Sequence, residues 1–537
     1  MPLDRRTPAA GEVPGEGRDP DAIHDVAIVG FGPVGATLAA LLAPWGHSVA
    51  VFERSTTVFP LPRAAHLDHE VMRVFDDAGV AEAVLPATTP VKGMHFLEAR
   101  GGAELFGFDA PEGPTRYGWP AGLMFYQPEL EAALRGPAES CPWVDVHLGH
   151  DVEAVVDRGD HVELTVRDLA WNQTVTHRAR YVVGCDGARS TVRKAAGIAF
   201  DDLGFDEPWL VLDVELLRDD LDLPDVVQQV CDPQRPATFV PMPGHRRRWE
   251  FMLLPGEDPE LMEQPAVFRR LLGEWVDPDA VEVIRSAVYR FHALIASPWR
   301  VGRFLLAGDA AHQMPPFLGQ GMCAGVRDAA NLAWRLRWVL DGMADDHLLD
   351  SYETERSPHV RSIIDLAVSM GSIICTLDPE VAAVRNQQFR DHPELAPKGG
   401  PGEMLPSLGT GVLQCDDTGA VVAPAGTCFI NPRLDDPFAT ALDELARDFT
   451  VLTRSDAGAW SLVWGEDDEG GTPHVRPGAR TAEAARFPEV DAWLGEHGVA
   501  AVILRPDHYV WGVARTEEEL PALIDQLAAQ LRGPLAS

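Results

Sequence analysis

Residues 25–54 constrain the fold of this chain more than any other stretch. They read DVAIV, GFGPVG, ATLAALLAPWG and HSVAVFER in direct succession. A short apolar run bounded by glycine predicts a buried strand over residues 25–29, and the pattern after it predicts a helix. A second strand then ends near Glu53. Gly30, Gly32 and Gly35 stand in G-x-G-x-x-G spacing. The first glycine permits a tight turn, the second lets a pyrophosphate approach the backbone, and the third lets the helix pack on the strand. The helix N-terminus offers unpaired N–H groups and a positive dipole end to phosphate. Glu53 stands where a carboxylate accepts hydrogen bonds from ribose hydroxyls. The unit predicts an α/β, Rossmann-like nucleotide-binding domain and leaves the choice between NAD and FAD open.

Bulk properties narrow the partners. A chain of 537 residues has room for roughly two to four domains. Its formal charge of −37 argues against nucleic acid, whose phosphates it would repel. No apolar stretch is long enough to span a bilayer, so no membrane partner is expected. Residues 1–22 lack the apolar run of a signal peptide and read as a disordered tail. The seven cysteines form no C-x-x-C pair, which speaks against zinc and dithiol roles. A reducing, cytoplasmic setting is expected.

Two further stretches choose the cofactor. In ARYVVGCDGARSTVRKAAGI a strand over residues 181–183 leads to Asp186 and Gly187, then to Ser190 and Arg193 on a helical segment. In RVGRFLLAGDAAHQMPPFLGQG a strand over residues 304–307 leads to Gly308 and Asp309, two prolines and two more glycines. A helix follows, with Val326, Ala329, Ala330, Ala333, Leu336 and Leu340 on one face. Each stretch alone suits an ordinary turn, since Asp-Gly is a frequent turn pair. In this order they resemble the group A flavoprotein monooxygenases, relatives of para-hydroxybenzoate hydroxylase and phenol hydroxylase. The nearer resemblance is to the 3-(3-hydroxyphenyl)propionate hydroxylase type. It rests also on PLPRAAHLDHEVMRVF, YQPELEAALR, VCDPQRPATFVP, RRRWEFMLLPGE, MCAGVRDAANLAWRL and YETERSP.

The resemblance implies bound FAD, transient NADH or NADPH with NADH favoured, and O2 that reacts through a flavin hydroperoxide. The implied substrate is a phenolic aromatic acid like 3-(3-hydroxyphenyl)propionate. A hydroxylase or epoxidase of a polyketide-type aromatic is the alternative, and a non-catalytic FAD-binding protein is the alternative of another class. A plain nicotinamide dehydrogenase leaves the DG and GD stretches unexplained. By the same resemblance Gly30, Gly32 and Gly35 meet the pyrophosphate and Glu53 the adenosine ribose. Arg54 and Arg63 lie near the phosphates or the isoalloxazine, Gln127 near the ribityl region, and Val152 near the adenine. Asp186 sits close to the pyrophosphate, and Asp309 accepts a hydrogen bond from the ribityl chain. Arg54 as a surface charge and Gln127 as a helix cap remain open readings.

Three demands of the chemistry pick out further residues. Gly319 and Gly321 leave room for a helix N-terminus to approach a reduced, anionic flavin. Pro315 and Pro316 lack backbone donors and have fixed φ, so they suit a rigid, dry wall, with the Pro316 carbonyl turned to the substrate. A phenol reacts better as phenolate, so an acceptor is sought among His66, Asp68 and His69, with His66 first and Tyr126 as a further candidate. A helix-entry role for the His66 segment stays open.

The expected organisation is an FAD-binding domain over residues 23–90, 121–204 and 300–375. A mixed-sheet substrate domain over 91–120 and 205–299 interrupts it. Of Arg246, Arg247 and Arg248, not all can face one site in a strand. Residues 376–408 read as a proline- and glycine-rich linker. Residues 409–537 look like the thioredoxin-like tail of phenol hydroxylase relatives, expected to serve packing or homodimer contacts and not redox catalysis.

Overall fold

The computed structural model describes residues 22–397, 399–400, 404–432, 442–445, 447–453, 459–463, 474–477 and 487–532. Of the tail expected over residues 1–22, all but Ala22 lies outside them. The glycine motif sits in an eight-stranded sheet. Its centre is parallel, in the order Phe304–Leu306, Gln173–Gly184, Ile23–Val29, Val49–Glu53 and Val144–Leu148. Strands buried on both faces read as continuous apolar runs, which is why VAIV and VAVF carry so clear a signal. The DG and GD stretches leave the sheet from neighbouring strands, as Gly184 pairs with Leu306. Three motifs far apart in sequence therefore emerge at one sheet edge, where parallel α/β sheets bind their ligands.

A second eight-stranded sheet carries the inserted residues. Ala199–Leu216, Val281–Ser297, Arg246–Met252, Ala237–Pro241 and Val227–Val230 pair antiparallel, and Gly93–Leu97 joins them parallel to Val227–Val230. The strand RRRWEFM shows how this sheet faces two ways. Trp249 and Phe251 are buried in a core with Leu210, Leu212 and Phe239. Arg248 and Glu250, on the opposite face by the period of two, are also buried but line a cavity. A helix, Pro379–Asp391, lies within residues 376–408, and its Arg385 donates to Ile373 O at 2.6 Å and Cys231 O at 2.7 Å.

The carboxy-terminal residues form a five-stranded sheet whose described pairings are all antiparallel. Helix Leu520–Arg532 buries Ile524, Leu527 and Leu531. This unit docks through charge as well as apolar surface. Arg505 bonds Glu355 at 2.6 and 2.7 Å, and Glu355 in turn takes Arg335 at 3.0 Å. Arg73 holds Asp443 with two bonds, at 2.6 and 2.8 Å. His508 Nε2 lies 2.5 Å from Asp77 and its Nδ1 3.2 Å from Asp443. Burial disfavours the imidazolium, and Arg73 adds repulsion, but Asp443 and Asp77 outweigh both and raise the His508 pKa to about 10.

An unfolded histidine titrates near 6.5, so the charged pair contributes fully below about pH 6.5 and fades as pH rises through the folded value. His508 has φ of 68°, a conformation asparagine tolerates. His508→Asn is therefore expected to lower the melting temperature at pH 7, with the gap from wild type shrinking toward pH 10. A constant gap across thermal melts from pH 7 to 10 would refute the charged docking contact.

Candidate active site

A cavity of about 350 Å³ lies where the glycine turn, the loop before helix Gly321–Leu340 and the cavity face of the inserted sheet converge. From the sequence-derived set it gathers Gly32, Arg63, His66, Gln127, Asp309, Pro316, Gly319 and Gly321 on its wall. Gly30, Glu53, Gly35, Arg54, Val152 and Asp186 do not line it. Gly30 and Gly35 lie directly behind the wall. Gly30 has φ of +98°, and a Cβ there would strike Cys185 O, while a Cβ on Gly35 would strike Gly30 O. Beside Gly32 there is open space instead. Glu53 accepts from Phe31 N at 2.9 Å and Ser55 N at 2.8 Å, fixing the carboxylate beside the turn. Arg54 is exposed, and Val152 is buried on strand His150–Asp157.

The structure resolves several open readings. Gln127 does not cap its own helix; its Oε1 accepts from Arg63 N and Ala64 N, both at 2.8 Å, and so shapes the wall. Asp186 Oδ2 accepts from Thr191 N at 2.6 Å at the start of helix Thr191–Ala195, while its buried Oδ1 has no partner among the described residues. Asp309 is open to the cavity and accepts no hydrogen bond from the described residues. Protein surrounding its carboxylate raises the pKa, with His312 and Arg63 opposing. Of the three candidate acceptors only His66 reaches the main cavity. Its Nδ1 lies 3.5 Å from Gly319 O, and burial lowers its pKa, which keeps the ring neutral. Asp68 caps helix His69–Asp77, and His69 stacks on Tyr117. Tyr126 donates to Pro60 O at 3.3 Å and lies under Arg246. Gly319, with φ of +64°, leaves the space the His66 ring takes: a Cβ there would sit 3.0 Å from Nδ1. Pro316 lines the cavity, but its carbonyl accepts from Gly319 N at 2.8 Å and closes the turn. The expected carbonyl facing the substrate thus has one lone pair already engaged.

Residues that the sequence reading passed over hold this loop in place. Asp328, two turns into helix Gly321–Leu340, is fully buried and accepts from Gly308 N at 3.1 Å and Arg356 Nε at 2.9 Å. His312 Nε2 lies 2.7 Å from it. Burial works against its ionisation, but His312 and Arg356 hold the pKa below the usual range. Gln320 precedes the helix without capping it. Its side chain bonds Asp68 at 3.1 Å and Arg327 at 3.1 Å, leaving the first helical N–H groups without a side-chain cap among the described residues, beside Gly321 and Met322 on the cavity wall. The signal was present as charges inside VRDAANLAWRLR, an otherwise apolar helix.

Two helix N-termini without side-chain caps, open space at Gly32 and an Asp309 carboxylate that has no hydrogen bond among the described residues suit a phosphate-bearing, polyhydroxy cofactor. The profile of a family described as an FAD binding domain matches residues 24–367. The chain is 39% identical over 535 residues to a probable NADH-specific resorcinol 4-hydroxylase of Rhodococcus jostii (strain RHA1), with 97% of each chain covered. The chain belongs to the FAD-dependent aromatic hydroxylases. The hydroxylase is also 37% identical over 536 residues to a 3-(3-hydroxy-phenyl)propionate/3-hydroxycinnamic acid hydroxylase of Mycobacterium sp. (strain JLS), over 92% of this chain and 89% of that one. The flavin-dependent monooxygenase PieE, solved with FAD and substrate, aligns with a TM-score of 0.77 at 24% identity, covering 95% of this chain and 100% of its own. Aklavinone-11 hydroxylase, solved with FAD and aklavinone, aligns at 0.74 and 23%, covering 95% and 99%. At such identities these likenesses show the shared para-hydroxybenzoate-hydroxylase-like α/β fold. FAD is the cofactor of the hydroxylase and a nicotinamide its reductant. Among the described residues no single helix is long and apolar enough to cross a membrane.

Asp328→Ala strands Arg356 and His312 in the interior. It is expected to cost roughly 3–5 kcal/mol in urea unfolding and to lower the flavin-to-protein absorbance ratio of the purified enzyme. Full flavin retention with unchanged stability would show that the loop is held by other means.

Proposed function

We propose that the hydroxylase acts on a single-ring phenol substituted at the 3-position, with NADH as electron donor. The observation that carries this reading is one cavity in which Asp309 and Gly321 meet a polar sheet face and a neutral His66. The names of the two relatives above supply the substrate class: resorcinol and 3-hydroxyphenylpropionate are both phenols carrying a 3-substituent. The phenolic acid expected from the sequence is one member of that class. The first relative's NADH specificity supports NADH.

When bound, FAD supplies acceptance of electrons from the nicotinamide and activation of oxygen. The chain's part is to hold and to shape. Gly30, Gly32 and Gly35 with helix Pro33–Leu42 would take the pyrophosphate, Glu53 the ribose, and Asp309 a ribityl hydroxyl. Arg54, Arg63, Gln127, Val152 and Asp186 belong to the same binding proposal. Helix Gly321–Leu340 aims its positive end at charge developing beside Gly319 and Gly321. His66, neutral at physiological pH, accepts the proton or hydrogen bond of the phenol. Pro316 and the buried Phe317 keep water from the reacting space. The carboxy-terminal unit is read as a thioredoxin-like packing domain; its described cysteines, Cys415 and Cys428, are separated by more than a C-x-x-C step.

Purified flavin-containing protein mixed with NADH and a panel of 3-substituted phenols is expected to consume NADH faster with substrate and to yield a product one oxygen heavier. No stimulation by any phenol, with flavin still bound, would overturn the reading. Pro316→Ser places a hydroxyl donor on the dry wall, so NADH oxidation is expected to outrun product formation severalfold. Unchanged coupling would remove Pro316 from that role.

A further inference from the structure

The sheet side of the cavity carries a polar row. Gln229, Thr238 and Glu250 are cross-strand neighbours on three adjacent strands, in the register Gln229 to Thr238 and Thr238 to Glu250. All three line the cavity and are otherwise buried, with 2%, 4% and 6% of their surface exposed. Polar groups so placed cost stability unless a partner satisfies them. We infer that this row reads a neutral hydroxyl and makes the enzyme select a dihydric phenol over a phenol bearing a carboxylate. The inference rests on the phenol-hydroxylating reading above and names its substrate class.

The Thr238 hydroxyl donates to Gln229 Oε1 at 2.6 Å, which fixes the amide and leaves its NH2 without a partner among the described residues. Glu250 has no hydrogen bond among them either; its nearest cation is Arg248 Nη1, 3.9 Å from Oε1. Arg248 is already committed to Asp213 at 2.7 Å, to Arg63 O at 2.7 Å and to Pro62 O at 3.4 Å. Arg285, two strands away on Val281–Ser297, does not line the cavity and faces Asp213 at 3.4 Å, with its Nε and Nη1 making no hydrogen bond among the described residues. Arg63, the other cation on the wall, stacks on Phe59 and is assigned to the cofactor.

The row therefore offers amide donors and a carboxyl group, and the arginine of the cavity wall that lies beside it, Arg248, is already engaged. Burial raises the Glu250 pKa, with Asp213 adding to the effect and Arg248 and Arg285 opposing it. The Gln229 NH2 donates and the Glu250 carboxylate accepts, which together match a phenolic hydroxyl, itself an acceptor and a donor. A substrate carboxylate only accepts, and it would bring a second negative group against Glu250. The 3-hydroxyl of a dihydric phenol suits this site, and a propionate side chain does not.

The test uses the flavin-containing enzyme, titrated with resorcinol, with monohydric phenol and with 3-(3-hydroxyphenyl)propionate while the flavin absorbance is followed, beside kcat and KM for each. Resorcinol is expected to bind about tenfold or more tightly than the propionate. Glu250→Ala should raise the resorcinol Kd and KM about tenfold and leave monohydric phenol unchanged. Glu250→Gln, which keeps a donor and an acceptor, should restore most of the loss. Tighter binding of the propionate by wild type would overturn the inference, as would equal weakening of resorcinol and phenol by Glu250→Ala. Glu250-dependent resorcinol binding without any NADH oxidation would support the hydroxyl site while removing the hydroxylation reading. No spectral change with any ligand would overturn both.

Discussion

The buried carboxylate of Asp328 is the contact on which the active-site architecture depends. One side chain joins the GD turn, through Gly308 N, to His312 further along the loop and to Arg356 on helix Asp350–Ile374. The loop it closes presents Asp309, Pro316, Gly319 and Gly321 to the cavity. A loop of this length would otherwise sample many conformations, and loop ordering is costly. An ionised group at zero exposure is tolerable only because its partners are charged and well placed.

The same logic extends outward from that helix. Arg327 binds Asp68 and Glu70, Arg335 binds Glu355, and Glu355 binds Arg505 from the carboxy-terminal unit. Tyr509 reaches the same cluster through Glu70. Helix Gly321–Leu340 is therefore held at its start by the active-site loop and along its length by ion pairs to distant parts of the chain. Its N-terminal N–H groups, uncapped by side chains among the described residues, owe this to Gln320, whose side chain those pairs hold elsewhere. The rigidity of the cavity-facing end and the docking of the last domain share one set of buried charges.

On the opposite wall, a period of two does the equivalent work. Trp249 and Phe251 fill the core behind the sheet, so Arg248 and Glu250 must face the cavity. Arg248 then stabilises the Arg63 carbonyl, while Gln127 takes the Arg63 and Ala64 N–H groups from the other side. A segment without regular structure is thereby fixed between a helix and a strand. What remains without a hydrogen bond on this sheet face, among the described residues, is the Gln229 NH2 and the Glu250 carboxyl group.

The sequence by itself determined the glycine turn, the parallel strands around it and the start of the long helix after Gly321. These are local properties: an apolar run, a steric need for glycine, and a periodic pattern written over neighbouring residues. It also pointed to His66 and Asp309 through resemblance. It did not disclose Asp328, Gln320 or the Gln229, Thr238 and Glu250 row, because each acts on partners many residues away. RRRWEFM announces a strand, but nothing in those letters says which face meets the core. Only the tertiary structure decided that, by burying the tryptophan and phenylalanine face behind the sheet and leaving the charged face to the cavity. Local geometry follows from neighbours in sequence, whereas the pairing of buried charges follows from neighbours in space.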